Sequence, residues 1–132
     1  MKIRDMLDVL YNEEEKNRIV HDKNVKRKEI KKAMLYMNEH YSEPCTLQEV
    51  ADFVGLNKNY FSNIFKEETG ETFTKYFNQI RIRNAMKLLE NGNIKNYEIA
   101  EQVGYQNASY FSRIFKEIAG MTVEDYRNRQ PL

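Results

Sequence analysis

Two groups of small, polar and basic side chains lie 50 residues apart in the sequence, and most of their members can form hydrogen bonds. The first group is Lys58, Asn59, Ser62, Asn63 and Lys66, and the second is Asn107, Ala108, Ser109, Ser112, Arg113 and Lys116. An Asn amide can pair with adenine, an Arg guanidinium with guanine and a Ser hydroxyl with several base edges, while Lys neutralises phosphate. Ala offers only an apolar contact. Each group can act in this way only if one element holds its members on a common exposed face.

Both groups lie on copies of one repeated stretch. The segment from Leu47 to Tyr76 returns as a second segment that ends at Tyr126. From Tyr60 to Tyr76, ten of seventeen positions carry the same residue 50 positions later, whereas before the central glycine the offset is 49. Coincidence is a poor explanation of this match, and two copies are too few for a solenoid. The repeat therefore predicts a pair of similar modules.

Each copy has the pattern of a short helix, a glycine turn and a second helix. We expect Thr46 to cap the first helix, with Glu49 at the capping-box position, and Asn57 to cap the second helix. Gly55 suits the turn and Gly70 the end of the second helix. The apolar residues recur at helical spacing, as Leu47, Val50, Ala51 and Val54 and then as Tyr60, Phe61, Ile64 and Phe65. This is the pattern of a helix-turn-helix, whose second helix enters the major groove of DNA.

The second copy predicts the same elements with small differences. We expect Asn96 to cap its first helix, and its turn at 104–108 is one residue longer, which re-aims the following helix slightly. Thr122 is expected to cap a last short helix, from which Tyr126 folds back, and residues 130–132 are expected to be disordered. The amides at the helix starts near Thr46 and Asn96 are expected to hold phosphates.

The two copies and the helix between them resemble the double helix-turn-helix DNA-binding domain of the AraC/XylS family of bacterial transcription regulators. The resemblance rests on YFSNIFKEETG, from Tyr60, and on YFSRIFKEIAG followed by MTVEDYR, from Tyr110, and it covers residues 25–129. It implies an all-α fold of about seven helices that binds double-stranded DNA at specific sequences to regulate transcription. It carries eight of these residues over as DNA contacts, with departures at Asn63, where the other copy has Arg113, and at Ala108. The eight are Lys58, Asn59, Ser62 and Asn63 in the first copy and Ala108, Ser109, Ser112 and Arg113 in the second.

The segment from Thr72 to Glu90 predicts one long helix that joins the two modules. Thr72 is expected to cap this helix, and the Asn-Gly-Asn run at 91–93 to end it. Its inward stripe is predicted as Phe73, Tyr76, Phe77, Ile80, Asn84 and Leu88. Such a helix spans roughly 28 Å, and successive major-groove segments on one face of B-DNA lie roughly 34 Å apart. With bulky modules at its ends, this spacer would let one chain contact both segments.

Residues 1–24 form a separate compositional zone. Ile3, Met6, Leu7, Leu10 and Tyr11 fit one helix face, which the charged run NEEEKNR follows. The zone fits either a connector or dimerisation helix behind a sensor or receiver domain, or a frayed and solvated helix. The first helix of the domain proper is predicted from Val25 to His40, with Ile30, Ala33, Met34, Met37 and Tyr41 facing inward. Its basic run at 26–32 fits a solvated face better than a phosphate contact.

The composition and the absence of several motifs exclude some classes of function. The sequence has no apolar run of about eighteen residues, so it predicts no membrane-spanning helix and no membrane partner. Its single cysteine, Cys45, excludes an internal disulfide and suits the cytoplasm. Cys45 is expected to be a bystander thiol, because no base or metal partner accompanies it. The isolated His21 and His40, and the absence of nucleotide-binding and hydrolase motifs, predict no metal, cofactor or catalytic residue.

Charge and aromatic residues give weaker indications. The net charge is only +1, so any affinity for DNA must come from a local surface. The aromatic pairs at 60–61 and 110–111 are expected to be core that seats the second helices rather than a stacking surface for single strands. Arg81, Arg83 and Lys87 are expected to make surface i,i+4 pairs.

The leading hypothesis is a transcription regulator that reads two successive major-groove segments. An interaction module that no longer binds DNA is the alternative, and only the near-neutral charge supports it. As a regulator, the chain is either the output end of a longer protein, which residues 1–24 favour, or a stand-alone regulator. RNA polymerase, and a second copy held through residues 1–24 or a missing domain, are further candidate partners. Activation and repression both fit the sequence.

Overall fold

The computed structural model describes residues 24–129, and within this range every regular element is a helix. The seven helices are α1 (24–40), α2 (Leu47–Phe53), α3 (Lys58–Thr69), α4 (Phe73–Glu90), α5 (Asn96–Gln102), α6 (Ala108–Ala119) and α7 (Val123–Arg129). The predicted all-α fold, with two helix-turn-helix units joined by a long helix, is confirmed. The interpretations of residues 1–23 and 130–132 lie outside the described residues. Within the described part, no helix has the length and apolar character to cross a membrane.

The first unit packs α1, α2, α3 and the start of α4 around one core. The rings of Phe61, Phe65 and Phe73 meet pairwise with centroids 5.7, 5.8 and 6.2 Å apart, which are favourable distances for tilted aromatic pairs. The predicted inward stripe of α1 is confirmed, as its members are buried or pack against this core: Ile30, Ala33, Met34, Met37 and Tyr41. These contacts hold α3 by its inner face.

The second unit repeats this arrangement with α5, α6, α7 and the second half of α4. Phe111 and Phe115 of α6 lie 5.9 Å apart, and Phe115 meets Tyr126 of α7 at 5.8 Å and 72°. The matching pair of the first unit, Phe65 and Tyr76, lies 5.3 Å apart at 83°. The start of α4 therefore closes the first core as α7 closes the second, and Tyr126 folds back as predicted.

Local side-chain contacts begin and end the helices largely as the sequence predicts. The Thr46 hydroxyl accepts a hydrogen bond from the Glu49 amide, and the Thr72 hydroxyl accepts one from the Lys75 amide. These bonds satisfy amides that have no partner within the helix. Gly70 ends α3 with φ of 79°, in the left-handed region that a side chain would strain. The chain can therefore turn sharply from α3 into α4.

The long helix α4 contributes to both cores, but from different faces. Phe73, Phe77 and Ile80 belong to the first core, whereas the second core contains Ile82, Ala85 and Leu89. At 3.6 residues per turn, these two sets point roughly 150° apart around the helix axis. The predicted single stripe was therefore incomplete in its second half, where Leu88 does pack against the second core but Asn84 is only half-buried and the three buried residues were missed. One stripe cannot fill two cores that lie on different sides of the helix.

The predicted cap at Asn96 is also wrong. Helix α5 begins at Asn96 itself, and Lys95 occupies the cap position without a side-chain hydrogen bond. The Asn96 side chain instead donates to a carboxylate oxygen of Glu124 at 3.2 Å and accepts a bond from Arg127 at 2.7 Å. Arg127 also donates to the carbonyl oxygen of Ile94 at 2.8 Å. Partners on α7 therefore replace the local cap and tie the end of the chain to the loop before α5.

Candidate nucleic-acid interface

The outer faces of α3 and α6 carry the two groups of polar side chains. Of the predicted contacts in the first group only Ser62 is half-buried, and the other four are exposed: Lys58, Asn59, Asn63 and Lys66. All six members of the second group are exposed: Asn107, Ala108, Ser109, Ser112, Arg113 and Lys116. The opposite sides of both helices are buried in their cores. Each helix is therefore seated by one face and presents the other to solvent.

A tyrosine that the sequence analysis assigned to the core stands on each exposed face. The expectation of buried aromatic pairs is right for Phe61 and Phe111, which are fully buried, but wrong for Tyr60 and Tyr110, which are 45% and 37% exposed. The buried stripe takes the phenylalanine and the residues three and four positions later, so the preceding tyrosine lies at its edge. Each phenol adds a hydrogen-bonding group to the polar face.

The two faces differ in charge where Arg113 stands in place of Asn63. The Cζ atom of Arg113 lies 5.1 Å from the centroid of the Tyr110 ring, within the range of a cation–π contact. The Tyr110 ring in turn lies 5.8 Å from the ring of Tyr105, measured between centroids. These contacts support a guanidinium that can donate two parallel hydrogen bonds to guanine. The neutral Asn63 amide can pair with adenine instead.

Asn57 and Asn107 hold the starts of the two helices. The Asn57 side-chain oxygen accepts hydrogen bonds from the amides of Asn59 and Tyr60, at 2.9 and 3.3 Å. The Asn107 side-chain oxygen accepts one from the amide of Tyr110, at 3.0 Å. The first cap was predicted, whereas Asn107 was considered only as a DNA contact. Because the cap uses the oxygen of Asn107, the amide group can still donate to another partner.

A family model described as a helix-turn-helix domain matches residues 50–129, which is more than half of the chain. The match runs from within α2 to the end of α7 and so includes both exposed faces. The chain belongs to the AraC/XylS family. Its described residues therefore form an AraC-type DNA-binding domain of a transcription regulator.

Curated relatives with this AraC-type domain are much longer than the present chain. The HTH-type transcriptional activator Btr of Bacillus subtilis is 33% identical over 78 residues, which make up 59% of this chain and 15% of Btr. The regulatory protein PocR of Salmonella typhimurium is 33% identical over 79 residues, or 60% of this chain and 26% of PocR. The chain thus matches only a minor part of these relatives.

Solved structures of AraC-type domains share the fold. The C-terminal domain of AraT, a response regulator from Geobacillus stearothermophilus, is 33% identical with a TM-score of 0.75, over 79% of this chain and 87% of that one. The C-terminal domain of the two-component response regulator yesN from Fusobacterium nucleatum is 35% identical with a TM-score of 0.70, over 74% and 95%. The DNA-binding domain of AdpA, solved with a target DNA, is 20% identical and shares the fold, with a TM-score of 0.71 over 75% and 89%.

The side chains at the starts of α2 and α5 in this AraC-type domain already have hydrogen-bond partners. The Thr46 hydroxyl is occupied by the Glu49 amide, and the Asn96 side chain is occupied by Glu124 and Arg127. Neither side chain is therefore poised to hold a phosphate by itself. Phosphate contacts at these two places stay a prediction that depends on the backbone amides.

Arg81 of the linker helix is half-buried, so the predicted surface pair is wrong for this residue. Its Nε donates to the carbonyl oxygen of Tyr41 at 2.7 Å, and its Nη2 donates to that of Glu43 at 3.0 Å. Its Cζ atom lies 4.3 Å from the ring centroid of Phe77 and 5.1 Å from that of Tyr105. Burial lowers the pKa of the Arg81 guanidinium and raises the pKa of the Tyr105 phenol. The raised pKa keeps the Tyr105 phenol neutral at neutral pH, and the Arg81 side chain stays charged because arginine is not deprotonated in proteins.

Reactive side chains outside the two exposed faces include those of His40 and Cys45. Between residues 24 and 129, no three metal-ligating side chains group together. The Nδ1 atom of His40 lies 3.0 Å from a carboxylate oxygen of Glu43. Burial, and then the charge of Glu49, raise the pKa of the Cys45 thiol. A raised pKa leaves less thiolate at neutral pH, which makes Cys45 a poor nucleophile.

Proposed function

We propose that the chain binds double-stranded DNA at specific sequences, with α3 and α6 in successive major-groove segments of one site. The observation that carries this proposal is the pair of matching exposed faces, each on a helix whose opposite side packs into its own aromatic core. The first segment would meet Lys58, Asn59, Ser62 and Asn63, and the second would meet Ala108, Ser109, Ser112 and Arg113. Asn107 can contact the second segment through its amide group. The AdpA domain, which shares this fold, was solved with a target DNA.

The length of α4 supports binding by a single chain. Its 18 residues span roughly 27 Å. Successive major-groove segments on one face of B-DNA are roughly 34 Å apart. Each unit packs against one half of α4, and the bulk of the two units is proposed to supply the remaining distance without a symmetric partner.

Phosphate contacts would position the two helices without reading bases. Lys66 and Lys116 lie in the last turns of α3 and α6 and are exposed. Each can neutralise a phosphate beside the groove that its helix occupies. The amides at the helix starts near Thr46 and Asn96 are proposed as two further phosphate contacts. Because the chain carries a net charge of only +1, these local contacts would supply most of the salt-dependent affinity.

The test of this function is the selection of bound sequences from a pool of random duplexes, followed by anisotropy titrations. We expect one enriched motif of about twenty base pairs, in two segments roughly one helical turn apart. Arg113→Ala should lose about 1–3 kcal/mol of binding free energy on this motif and relax the preference at one base pair. Lys116→Ala is the matched control, which should weaken binding to all duplexes alike and reduce the salt slope by about one.

Two results would contradict the proposal at different levels. An equal loss for Arg113→Ala on the motif and on random DNA would exclude base reading by Arg113. Failure of the wild-type chain to enrich any motif would exclude sequence-specific binding altogether and leave the interaction module as the better explanation.

We also propose that this domain is the output end of a longer cytoplasmic regulator. The matched domains of AraT and yesN are C-terminal domains of response regulators, and Btr extends far beyond the matched region. In such a protein the remaining domain would set when DNA is bound, and RNA polymerase or a second copy would be further partners. An antibody against the domain should detect a cellular protein longer than 132 residues. Detection of a 132-residue protein alone would favour a stand-alone regulator.

A further inference from the structure

Four residues lie together where the two helix-turn-helix units meet along the linker helix: Tyr41, Arg81, Gly104 and Tyr105. Arg81 projects from α4 and donates hydrogen bonds to two carbonyl oxygens of the α1–α2 loop, those of Tyr41 and Glu43, at 2.7 and 3.0 Å. Hydrogen bonds from a charged donor are stronger than those between neutral groups. Tyr41 packs against both hydrophobic cores. One guanidinium therefore ties the first unit to the linker helix at the point where the cores meet.

The turn between α5 and α6 of the second unit packs against the same guanidinium. The Tyr105 ring centroid lies 5.1 Å from the Arg81 Cζ atom, and the Tyr105 hydroxyl donates to the side-chain oxygen of Asn78 at 2.7 Å. Gly104 has φ of 101°, and a Cβ atom there would lie 2.8 Å from the Tyr41 carbonyl oxygen and 2.9 Å from Arg81 Nη2. A side chain in place of Gly104 would be strained by the left-handed backbone conformation and would clash with the Tyr41 carbonyl oxygen.

The corresponding turn of the first copy lacks these contacts. Gly55 is the counterpart of Gly104, and a Cβ atom at Gly55 would meet nothing within 4 Å. Leu56 stands where the second copy has Tyr105, and both amides bond back to the carbonyl oxygen five residues earlier. The turn itself therefore requires neither the tyrosine ring nor the close approach. These features of the second copy serve contact between the units.

We propose that Tyr41, Arg81, Gly104 and Tyr105 form an inter-unit clasp that fixes the position of α6 relative to α3. This inference rests on the proposed function, because the clasp thereby sets the spacing between half-sites that the chain accepts. One extra base pair moves a half-site by about 3.4 Å and rotates it by about 34°. A rigid clasp rejects such a shift, whereas two units held only by α4 can adjust to it. Arg81 is a positioning residue in this account and touches no DNA.

The first experiment measures the position of the two units without DNA. Spin labels at Glu67→Cys and Glu117→Cys, which are equivalent exposed positions of α3 and α6, report the distance between the helices in a Cys45→Ser background. We expect one narrow distance distribution for this protein and a clearly broader one when Arg81→Met is added. Arg83→Met, an exposed arginine of the same helix, should leave the distribution unchanged. An unchanged distribution with Arg81→Met would overturn the clasp.

The second experiment compares binding to the selected motif and to the same motif with one base pair inserted between its halves. The wild-type chain should discriminate strongly between the two duplexes. Arg81→Met should reduce that ratio by at least about tenfold, which needs only part of the energy of two charge-assisted hydrogen bonds. Tyr105→Leu, which installs the residue of the first copy, should also reduce the discrimination ratio. This variant decides the question if Arg81→Met fails to fold. An unchanged ratio in both variants would overturn the spacing role.

The two experiments separate failure of the clasp from failure of the proposed function. If the wild-type chain enriches no motif, the DNA-binding proposal fails, while the distance measurement still decides whether Arg81 fixes the two units. If the wild-type chain binds with strict spacing and Arg81→Met does so equally, the function stands and the clasp fails.

Discussion

Asn107 combines two roles in one side chain at the start of α6. Its oxygen caps the helix through the amide of Tyr110, and its amide group is free to donate to DNA. Asn57 caps α3 with the same atom, so the repeat preserves the structural role at both sites. The caps matter for function because each one fixes the first turn of the helix that carries the proposed DNA contacts.

Substitution of this cap separates the two roles. Asn107→Ala should lower the free energy of unfolding by about 0.5–2 kcal/mol, because the Tyr110 amide loses its partner. Asn107→Asp keeps an oxygen that can cap the helix, so its stability should stay close to that of the wild type. The negative charge should nevertheless weaken binding to DNA. Urea unfolding and anisotropy titration of both variants test these outcomes, and equal stability of all three proteins would contradict the capping role.

Contacts between near neighbours were predictable from the sequence, and contacts between distant residues were not. The caps at Thr46, Asn57 and Thr72 follow from one side chain and an amide two or three residues later. Arg81 finds its partners 38 and 40 residues away, and Asn96 finds its own on α7. No local sequence pattern predicts partners that are so distant in the chain. The predicted cap at Asn96 and the predicted surface pair of Arg81 were wrong for that reason.

The exposed faces were predicted more accurately than their borders. The eleven proposed DNA contacts are exposed, apart from the half-buried Ser62, because helical spacing separates them from the buried stripe. Tyr60 and Tyr110 lie at the edge of that stripe, where spacing alone cannot distinguish core from surface. The fact that both positions carry tyrosine rather than phenylalanine was the signal available, since a phenol tolerates solvent better.

At the scale of elements, α4 holds two cores on two different faces. Ile80 is buried in the first core and Ile82 in the second, although they are separated by a single residue. This single change of buried face along α4 explains why a search for one inward stripe missed the buried residues of the second half. It also means that each unit can be destabilised separately through the same helix.

A pair of matched substitutions tests this division. Ile82→Ala should destabilise the chain by about 2–5 kcal/mol, because it leaves a cavity in the second core. Hydrogen exchange should then accelerate more in α5, α6 and α7 than in α2 and α3. Ile80→Ala should produce the reverse pattern. Equal acceleration of both units by both substitutions would contradict two separate cores and indicate a single cooperative core.

For the whole molecule, two similar units with different surfaces suit a site without symmetry. One face presents Asn63 and the other presents Arg113, so the two half-sites should differ in base preference. In the proposed complex, α4 would set the approximate separation of the two half-sites, and the clasp would set it finely. A site of this kind has a direction, which a regulator can use to orient itself toward a promoter without a second copy.

Hydroxyl-radical footprinting on the selected motif, at measured stoichiometry, tests the central claim of the account most directly. We expect one chain per duplex to protect two segments on the same face of the DNA, centred about ten base pairs apart. Arg113→Ala should weaken protection mainly in the segment that α6 contacts. A single protected segment, or two segments that appear only with two chains bound, would contradict reading of both grooves by one chain.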